Sequence, residues 1–308
     1  MSETKEMKKI DLDTLDKAGG KISAGRAKTA LIAAVILVAV AVGGYGAYGL
    51  FAGGVVASRF TVNKMNCPGC VTTVQEAAGK IGGVIETDVS LASGAVTVKY
   101  RSKLADPAQI GQAIVKAGYP TVHDGVFTPD GRGADNNVAA LVNGRPVLLK
   151  DLELAKGPGT DPASAFFNLV GAEVLLQAAD RRAVVVQPDE VAAAAQSFGA
   201  EQGLPAEKVA ERVNSRFGSP EKFHQQLARA VAIRKLIDDH AVQGVSDPKE
   251  KERKTLEWVG VVFKDADVKV VDPEVAKKLL ASAGQDDWKK FWPQMIGRDT
   301  ELKTMLLR

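Results

Sequence analysis

From Thr29 to Ser58 the sequence carries no charged side chain. About twenty such residues suffice to cross the hydrocarbon layer of a bilayer as a helix. Residues 29–57 are therefore expected to form a single transmembrane helix, and the flanks orient it. Lys5, Lys8, Lys9, Lys17, Lys21, Arg26 and Lys28 outweigh Glu3, Glu6, Asp11, Asp13 and Asp16 on the N-terminal side, whereas only Arg59 and Lys64 follow closely. Lys and Arg accumulate on cytoplasmic flanks. Residues 1–28 are thus read as a polar cytoplasmic tail, and everything after Arg59 as extracytoplasmic. A cleaved signal peptide is the competing reading, since Ala52-Gly53-Gly54 mimics a cleavage site, but the long polar lead opposes it. Gly49 and Gly53, four apart, would let another helix approach closely.

Immediately beyond lies Met65-Asn66-Cys67-Pro68-Gly69-Cys70, which holds the only two cysteines in the chain. Two polarizable thiolates across one tight turn can clasp a soft ion: Cu(I) or Hg(II) above all, since both accept two-coordinate sulfur, with Zn(II) and Cd(II) within the range of the donors. Val71, Val74, Ala77, Ala78 and Ile81 then fall on one helical face. Cys70 enters the first turn, where unpaired N–H groups and the helix dipole favour a thiolate. A C-x-x-C alone is also found in redox and haem motifs. Val71 rather than His directly follows Cys70, and no second cysteine pair exists, which removes covalent haem and a one-chain zinc site with four cysteines. Thiol redox chemistry and a purely structural disulfide stay open, and an oxidising compartment would favour the disulfide unless metal or a reductant protects the pair. Met65 reads as core rather than ligand, and His123 as a surface residue.

Residues from about Arg59 to His123 resemble a heavy-metal-associated domain, the βαββαβ module of copper chaperones, metal-pumping ATPases and the periplasmic mercuric-ion-binding protein. The resemblance rests on Met65-x-Cys67-x-x-Cys70, the strand-like Ile85–Ser90, the Ala92-Ser93-Gly94 turn, Ala95–Tyr100, a helix from Pro107 to Ala117, and Ala117-Gly118-Tyr119-Pro120. It implies a ferredoxin-like fold over 58–123 in which Cys67 and Cys70 hold the ion, Met65 packs beneath the loop and Tyr119 borders the site.

After His123 the turn formers of residues 124–137 read as a linker. Val138–Val142, Asn143-Gly144 and Arg145–Leu149 form a predicted hairpin. Helix starts recur at Asp161-Pro162, Pro188-Asp189-Glu190, Pro205-Ala206-Glu207, Ser219-Pro220-Glu221 and Asp272-Pro273-Glu274, where a rigid Pro and an acid suit the first turn. Phe167, Val170, Val174, Leu175 and Ala178 recur at helical spacing, as do Phe223, Leu227, Val231, Ile233, Leu236 and Ile237. Residues 138–245 resemble the N-terminal helical region of SurA-type periplasmic chaperones and prolyl isomerases. The resemblance is carried by Leu141–Val147, Lys150-Asp151-Leu152, Val185–Val191 and the stretch from Ser219 to Ile237, and it implies a domain that cradles a protein client. Residues 246–308 read as an extension: Trp258–Phe263 and Val268–Val271 as strands, then helices from Pro273. No His follows His240, so no isomerase site is expected. Trp258, Trp288, Phe291 and Trp292 are either core or an aromatic docking surface.

The chain is thus expected to be α+β: one transmembrane helix, a ferredoxin-like βαββαβ metal-binding domain and a mainly α-helical SurA-like domain with a small β element. No P-loop, dinucleotide fingerprint, nucleophile elbow or H-E-x-x-H occurs, so no enzyme is expected. His224 and His240 read as structural or surface groups. A net charge of +3 is too slight to suggest nucleic acid. The expected function is capture, transfer or sensing of one soft metal ion by a single-pass protein of the bacterial inner membrane. Its N-terminus is cytoplasmic, its domains are periplasmic, and the helical domain serves a protein partner. The alternative is a tethered chaperone or scaffold subunit whose cysteine pair is redox-active or vestigial.

Overall fold

Strand β1 (Val55–Val62) opens the computed structural model, which describes residues 53–131, 137–155, 162–201 and 206–283. The hydrophobic segment 29–52, including Gly49, and Trp288, Phe291 and Trp292 lie outside the described residues. Among those described, no helix is long and apolar enough to cross a membrane. The strand takes up residues 55–57, which hydropathy assigns to the end of the span. Val55 pairs with Arg101, and the Gly54 carbonyl accepts the Ser102 N–H at 3.0 Å. β-Branched residues beside a partner strand find ladder bonds there, and charge-free sequence does not distinguish strand from span.

Helix α1 (Pro68–Gly79) follows β1, then strands β2 (Val84–Ser90) and β3 (Ala95–Arg101), helix α2 (Pro107–Lys116) and strand β4 (Thr121–Phe127). The sheet is antiparallel in the order β2-β3-β1-β4. Successive strand residues face opposite sides. Phe60 and Val62 of β1, with Val96, Val98 and Tyr100 of β3, pack against Val74 and Ala78 of α1 and Ile110 and Ile114 of α2. Met65 and Cys70 join the same core. β4 consumes residues 124–127 of the expected linker, because Val126 and Phe127 continue the ladder opposite Ser58 and Ala57.

A second sheet, order β6-β5-β7, combines the hairpin of β5 (Val138–Val142) and β6 (Arg145–Leu148) with β7 (Val268–Val270). The Asn143-Gly144 turn adopts φ values of 49° and 83°, the left-handed pair that a two-residue hairpin requires. Seven more helices follow among the described residues: α3 (Leu149–Ala155), α4 (Pro162–Arg181), α5 (Pro188–Glu201), α6 (Ala206–Phe217), α7 (Pro220–His240), α8 (Pro248–Lys264) and α9 (Pro273–Ala283). Their core gathers Phe166, Val170 and Leu175 of α4, Ile233, Leu236 and Ile237 of α7, Val259 of α8 and Leu279 of α9. That core continues across position 245. Residues 246–283 are therefore built into the helical domain, and β7 completes its sheet beside β5.

Trp258–Phe263, expected as a strand from its β-branched and aromatic content, is helical. The Asp247 carboxylate caps the Glu250 N–H at 2.8 Å, Pro248 opens α8, and Arg253 pairs with Glu257 at 2.7 Å. Thr255 and Val259, one turn apart, are both buried. Tertiary burial on a helical stripe overrides the strand propensity of Val261 and Val262. Trp258 packs beside the helical core, with the Arg182 guanidinium 5.5 Å from its ring centroid.

The helical domain covers the sheet face that α1 and α2 leave open. Ala57, Phe127, Val138, Leu141 and Leu148 form a small apolar seam. Around it, Arg59 Nη1 donates to Asp151 at 2.9 Å. Thr61 Oγ1 donates to Asp124 at 2.7 Å, and Lys150 Nζ reaches the same carboxylate at 2.7 Å. Asp180 accepts the Ala92 N–H at 2.9 Å and pairs with Arg145 at 2.8 Å.

Candidate metal centre

The loop between β1 and α1 places the two cysteines. Lys64 takes a left-handed φ of 64°, uncommon for a residue with a side chain, and turns the chain away from the strand. Met65 then inserts into the core at 7% exposure, so it packs beneath the loop with Val62 and Val74 and is not presented at the surface. Cys67 is the N-cap of α1. Its backbone is extended, its Sγ accepts the Cys70 N–H at 3.1 Å, and Pro68 occupies the start of the helix, where its missing N–H costs nothing.

Cys67 and Cys70 are joined as a disulfide. Cys70 is buried at 7% exposure, whereas Cys67 is exposed. Cys70 Sγ lies 3.8 Å from Asn66 Oδ1. The first turn of α1 contains no acid, so nothing there opposes the dipole's preference for negative sulfur. Two electrons and two protons convert the disulfide into a thiol pair on one helical turn, with one sulfur facing solvent and the other lodged at the edge of the core. Among the described residues no group of three or more His, Cys, Asp and Glu side chains is placed to hold a metal ion. Once reduced, the two sulfurs at this turn are soft donors, and they serve a six-oxygen ion poorly.

Tyr119 is half-buried against the core that contains Met65 and Cys70, and its N–H bonds the Ile114 carbonyl at 3.3 Å. It forms part of the wall on the loop side of α2. His123 sits on β4 opposite Phe60. It is exposed, its ring centroid is 5.1 Å from that of Phe60, and its Nε2 lies 3.3 Å from Ser58 Oγ. His224 and His240 are exposed on α7, and Nδ1 of His224 is 2.7 Å from the Pro220 carbonyl.

The helical domain's approach to this loop is absent from the sequence reading. Along β1, Arg59 and Thr61 face that domain, and Asn63, one residue past the strand, continues the row. Its Oδ1 accepts a hydrogen bond from Gln225 Nε2 of α7. Arg59 is 8% exposed. Burial opposes its charge, but Asp151, Asp124 and Glu173 more than offset that and keep it protonated. The only sequence signal was a row of polar residues on alternate positions of β1, the pattern of an ordinary solvent-facing edge.

The heavy-metal-associated domain model matches residues 59–120. The copper chaperone CopZ of Enterococcus hirae is 37% identical over 61 residues, which cover 20% of this chain and 88% of that protein. Among solved structures, oxidised MerP from Ralstonia metallidurans CH34 is 25% identical, over 23% of this chain and 99% of that one, with a TM-score of 0.23. The Cu(I)-loaded N-terminal domain of a potential copper-translocating P-type ATPase from Bacillus subtilis is 29% identical, over 23% of this chain and 90% of that one, also with a TM-score of 0.23. Through residues 59–120, with Met65, Cys67 and Cys70 in its first loop and a βαββαβ fold around them, the chain belongs to the heavy-metal-associated domain family.

Proposed function

We propose that this protein captures one thiophilic metal ion, Cu(I) or Hg(II), between the reduced sulfurs of Cys67 and Cys70 and passes it on or reports its presence. The observation that carries the reading is the meeting of both cysteines at the start of α1, Cys67 as its N-cap and Cys70 in its first turn. The copper chaperone that the metal domain resembles supports it. The protein works as a binding protein rather than an enzyme. Residues 29–52 anchor it in the bacterial inner membrane, with the N-terminus in the cytoplasm and both domains on the far side. The helical domain, whose sequence resembles the client-binding region of SurA-type chaperones over 138–245, engages a protein partner.

Titration of the reduced full-length protein with Cu(I) and with Hg(II), against a competing chelator and with thiols counted, tests the metal reading. One tightly held ion that masks both thiols and is lost in Cys67→Ser supports it. Equal behaviour of wild type and Cys67→Ser rejects it. Protease added outside intact spheroplasts tests the anchoring: digestion of the two domains supports it, and their protection opposes it. The disulfide favours a second reading, a tethered scaffold whose cysteine pair is redox-active, and this predicts dithiol turnover where the first predicts none.

A further inference from the structure

We infer that the end of the metal domain opposite its cysteine loop seats on the phospholipid surface through Val55, Ile85 and Leu104. The inference rests on the reading of residues 29–52 as the anchor, and it turns the loop toward water. On that reading the anchor ends at Ala52, one Cα step of about 3.8 Å before Gly53. No linker follows. Gly53 takes a left-handed φ of 77°, and a Cβ on it would stand 2.8 Å from Ser102 Oγ. The next carbonyl, that of Gly54, accepts the Ser102 N–H at 3.0 Å. The chain is thus fastened to the turn of residues 101–104 at the point where it leaves the lipid, and that turn must lie at the surface of the bilayer.

What this end presents suits lipid. Leu104 is 43% exposed, Val55 36% and Ile85 52%. The backbone gathers them: Val55 lies opposite Arg101 in the ladder, and the Arg101 N–H bonds the Gly83 carbonyl at 2.9 Å. Gly83 abuts Leu104 so closely that a Cβ on it would meet the leucine Cβ at 2.5 Å. Lys80 and Lys103 are exposed at the same end, where a lysine stem can lie along apolar lipid while its ammonium reaches a phosphate. Val115 and Val122 are exposed as well, at 50% and 58%, but they lie at the loop end, where Val122 pairs with Thr61. The fastening of Gly53 and Gly54 decides between the two ends. From there the eight residues of β1, at about 3.3 Å each, carry the chain roughly 25 Å before the loop begins. Cys67 and Cys70 therefore exchange their ion with a protein in the aqueous phase, not with a group at lipid depth.

The test uses the full-length protein in phospholipid vesicles. One sample carries a fluorophore on the reduced Cys67 of Cys70→Ser, and another carries it on Leu104→Cys in a Cys67→Ser, Cys70→Ser background. Lipid with a nitroxide headgroup should quench the probe at position 104 several-fold more than the probe at Cys67, and iodide in the water should reverse the order. A fluorophore can seek lipid on its own account, so a second comparison keeps Cys67 as the sole label. Ile85→Glu combined with Leu104→Glu should unseat the domain and raise lipid quenching at Cys67 several-fold, with flotation on the vesicles unchanged. Lipid quenching that is equal at the two positions, or stronger at Cys67, overturns the inference. A Cys67 signal that ignores the double glutamate variant overturns it too. Protein that fails to float with the vesicles rejects the anchoring reading, and this inference with it; protein that floats but shows the wrong order rejects the inference alone.

Discussion

Arg145 of the helical domain grips Asp88 of the metal domain with a two-pronged guanidinium: Nε donates to Oδ2 at 2.6 Å and Nη2 to Oδ1 at 2.9 Å. Nη1 of the same side chain reaches Asp180 at 2.8 Å. A planar fork meeting a carboxylate edge-on is the strong form of an ion pair. Here Arg145 is only 16% exposed and Asp88 39%, so solvent screens one partner more than the other. Arg145→Ala is expected to lower stability by about 2 kcal/mol, the range of hydrogen bonds to charged groups. Arg145→Lys should recover little of this, because an ammonium cannot form both bonds in one plane. Urea unfolding followed by tryptophan fluorescence and by far-UV circular dichroism checks both variants. A single wild-type transition that splits in Arg145→Ala would show the two domains uncoupling.

Met65 separates packing from coordination. It is 7% exposed within the core that holds Cys70 and Val74. Met65→Leu conserves volume and is expected to cost less than about 1.5 kcal/mol, with metal affinity unchanged. Met65→Ala should cost about 2–5 kcal/mol through the cavity it leaves. Denaturant midpoints and chelator competition on both variants provide the check. A large loss of affinity in Met65→Leu would make the thioether a ligand.

Local pattern made β1, β2 and β3 legible through alternation and α1 and α2 through their apolar faces, whereas β4 was expected only through the family resemblance, because Thr121–Phe127 does not alternate. The Asn143-Gly144 turn was legible for the same kind of reason: few sequences accept two left-handed residues in a row. What Asn143 does beyond the turn was not, since its side chain donates to Gln177 at 2.8 Å and accepts the Asp267 N–H at 2.8 Å, partners far along the chain. Trp258–Phe263 misled because composition spoke for a strand, while the deciding stripe of Thr255 and Val259 depends on what α8 packs against. The docking of the two domains left almost no trace. Arg59, Asp88, Arg145 and Asp180 are ordinary surface types, and only the fold brings them together. The state of the cysteine pair is likewise chemistry rather than pattern, and the same two letters serve a clasp and a disulfide.

Glu190 ties the start of α5 to α7. Its carboxylate accepts the Gln187 N–H at 2.7 Å and both oxygens meet Lys235 Nζ, at 2.8 and 2.9 Å. The Gln187 N–H first, and Lys235 after it, hold the carboxyl below the usual glutamate range. A group whose folded value lies below its unfolded value, about 4.3, stabilises the fold fully above that unfolded value. The contribution fades as pH falls through the folded value. The melting temperature of wild type should therefore exceed that of Glu190→Gln at neutral pH, and the gap should close below about pH 4. The group is partly exposed, so the gap should also shrink in high salt. A gap that persists at pH 3 would place the effect in packing instead.

The disulfide makes metal uptake conditional on reduction. With Cys67 and Cys70 joined, neither sulfur can become the thiolate that a soft ion requires, and no other described group supplies three ligands. The oxidised full-length protein is expected to leave Hg(II) and Cu(I) with even a weak chelator, and the reduced protein to remove one equivalent. Binding to the reduced form should weaken as pH falls, because each thiol must shed its proton to ligate. Chelator competition across pH 5–8 on the reduced protein, with the oxidised protein and Cys67→Ser as references, reads both effects. Uptake of one equivalent by the oxidised chain would place the metal site elsewhere in the molecule.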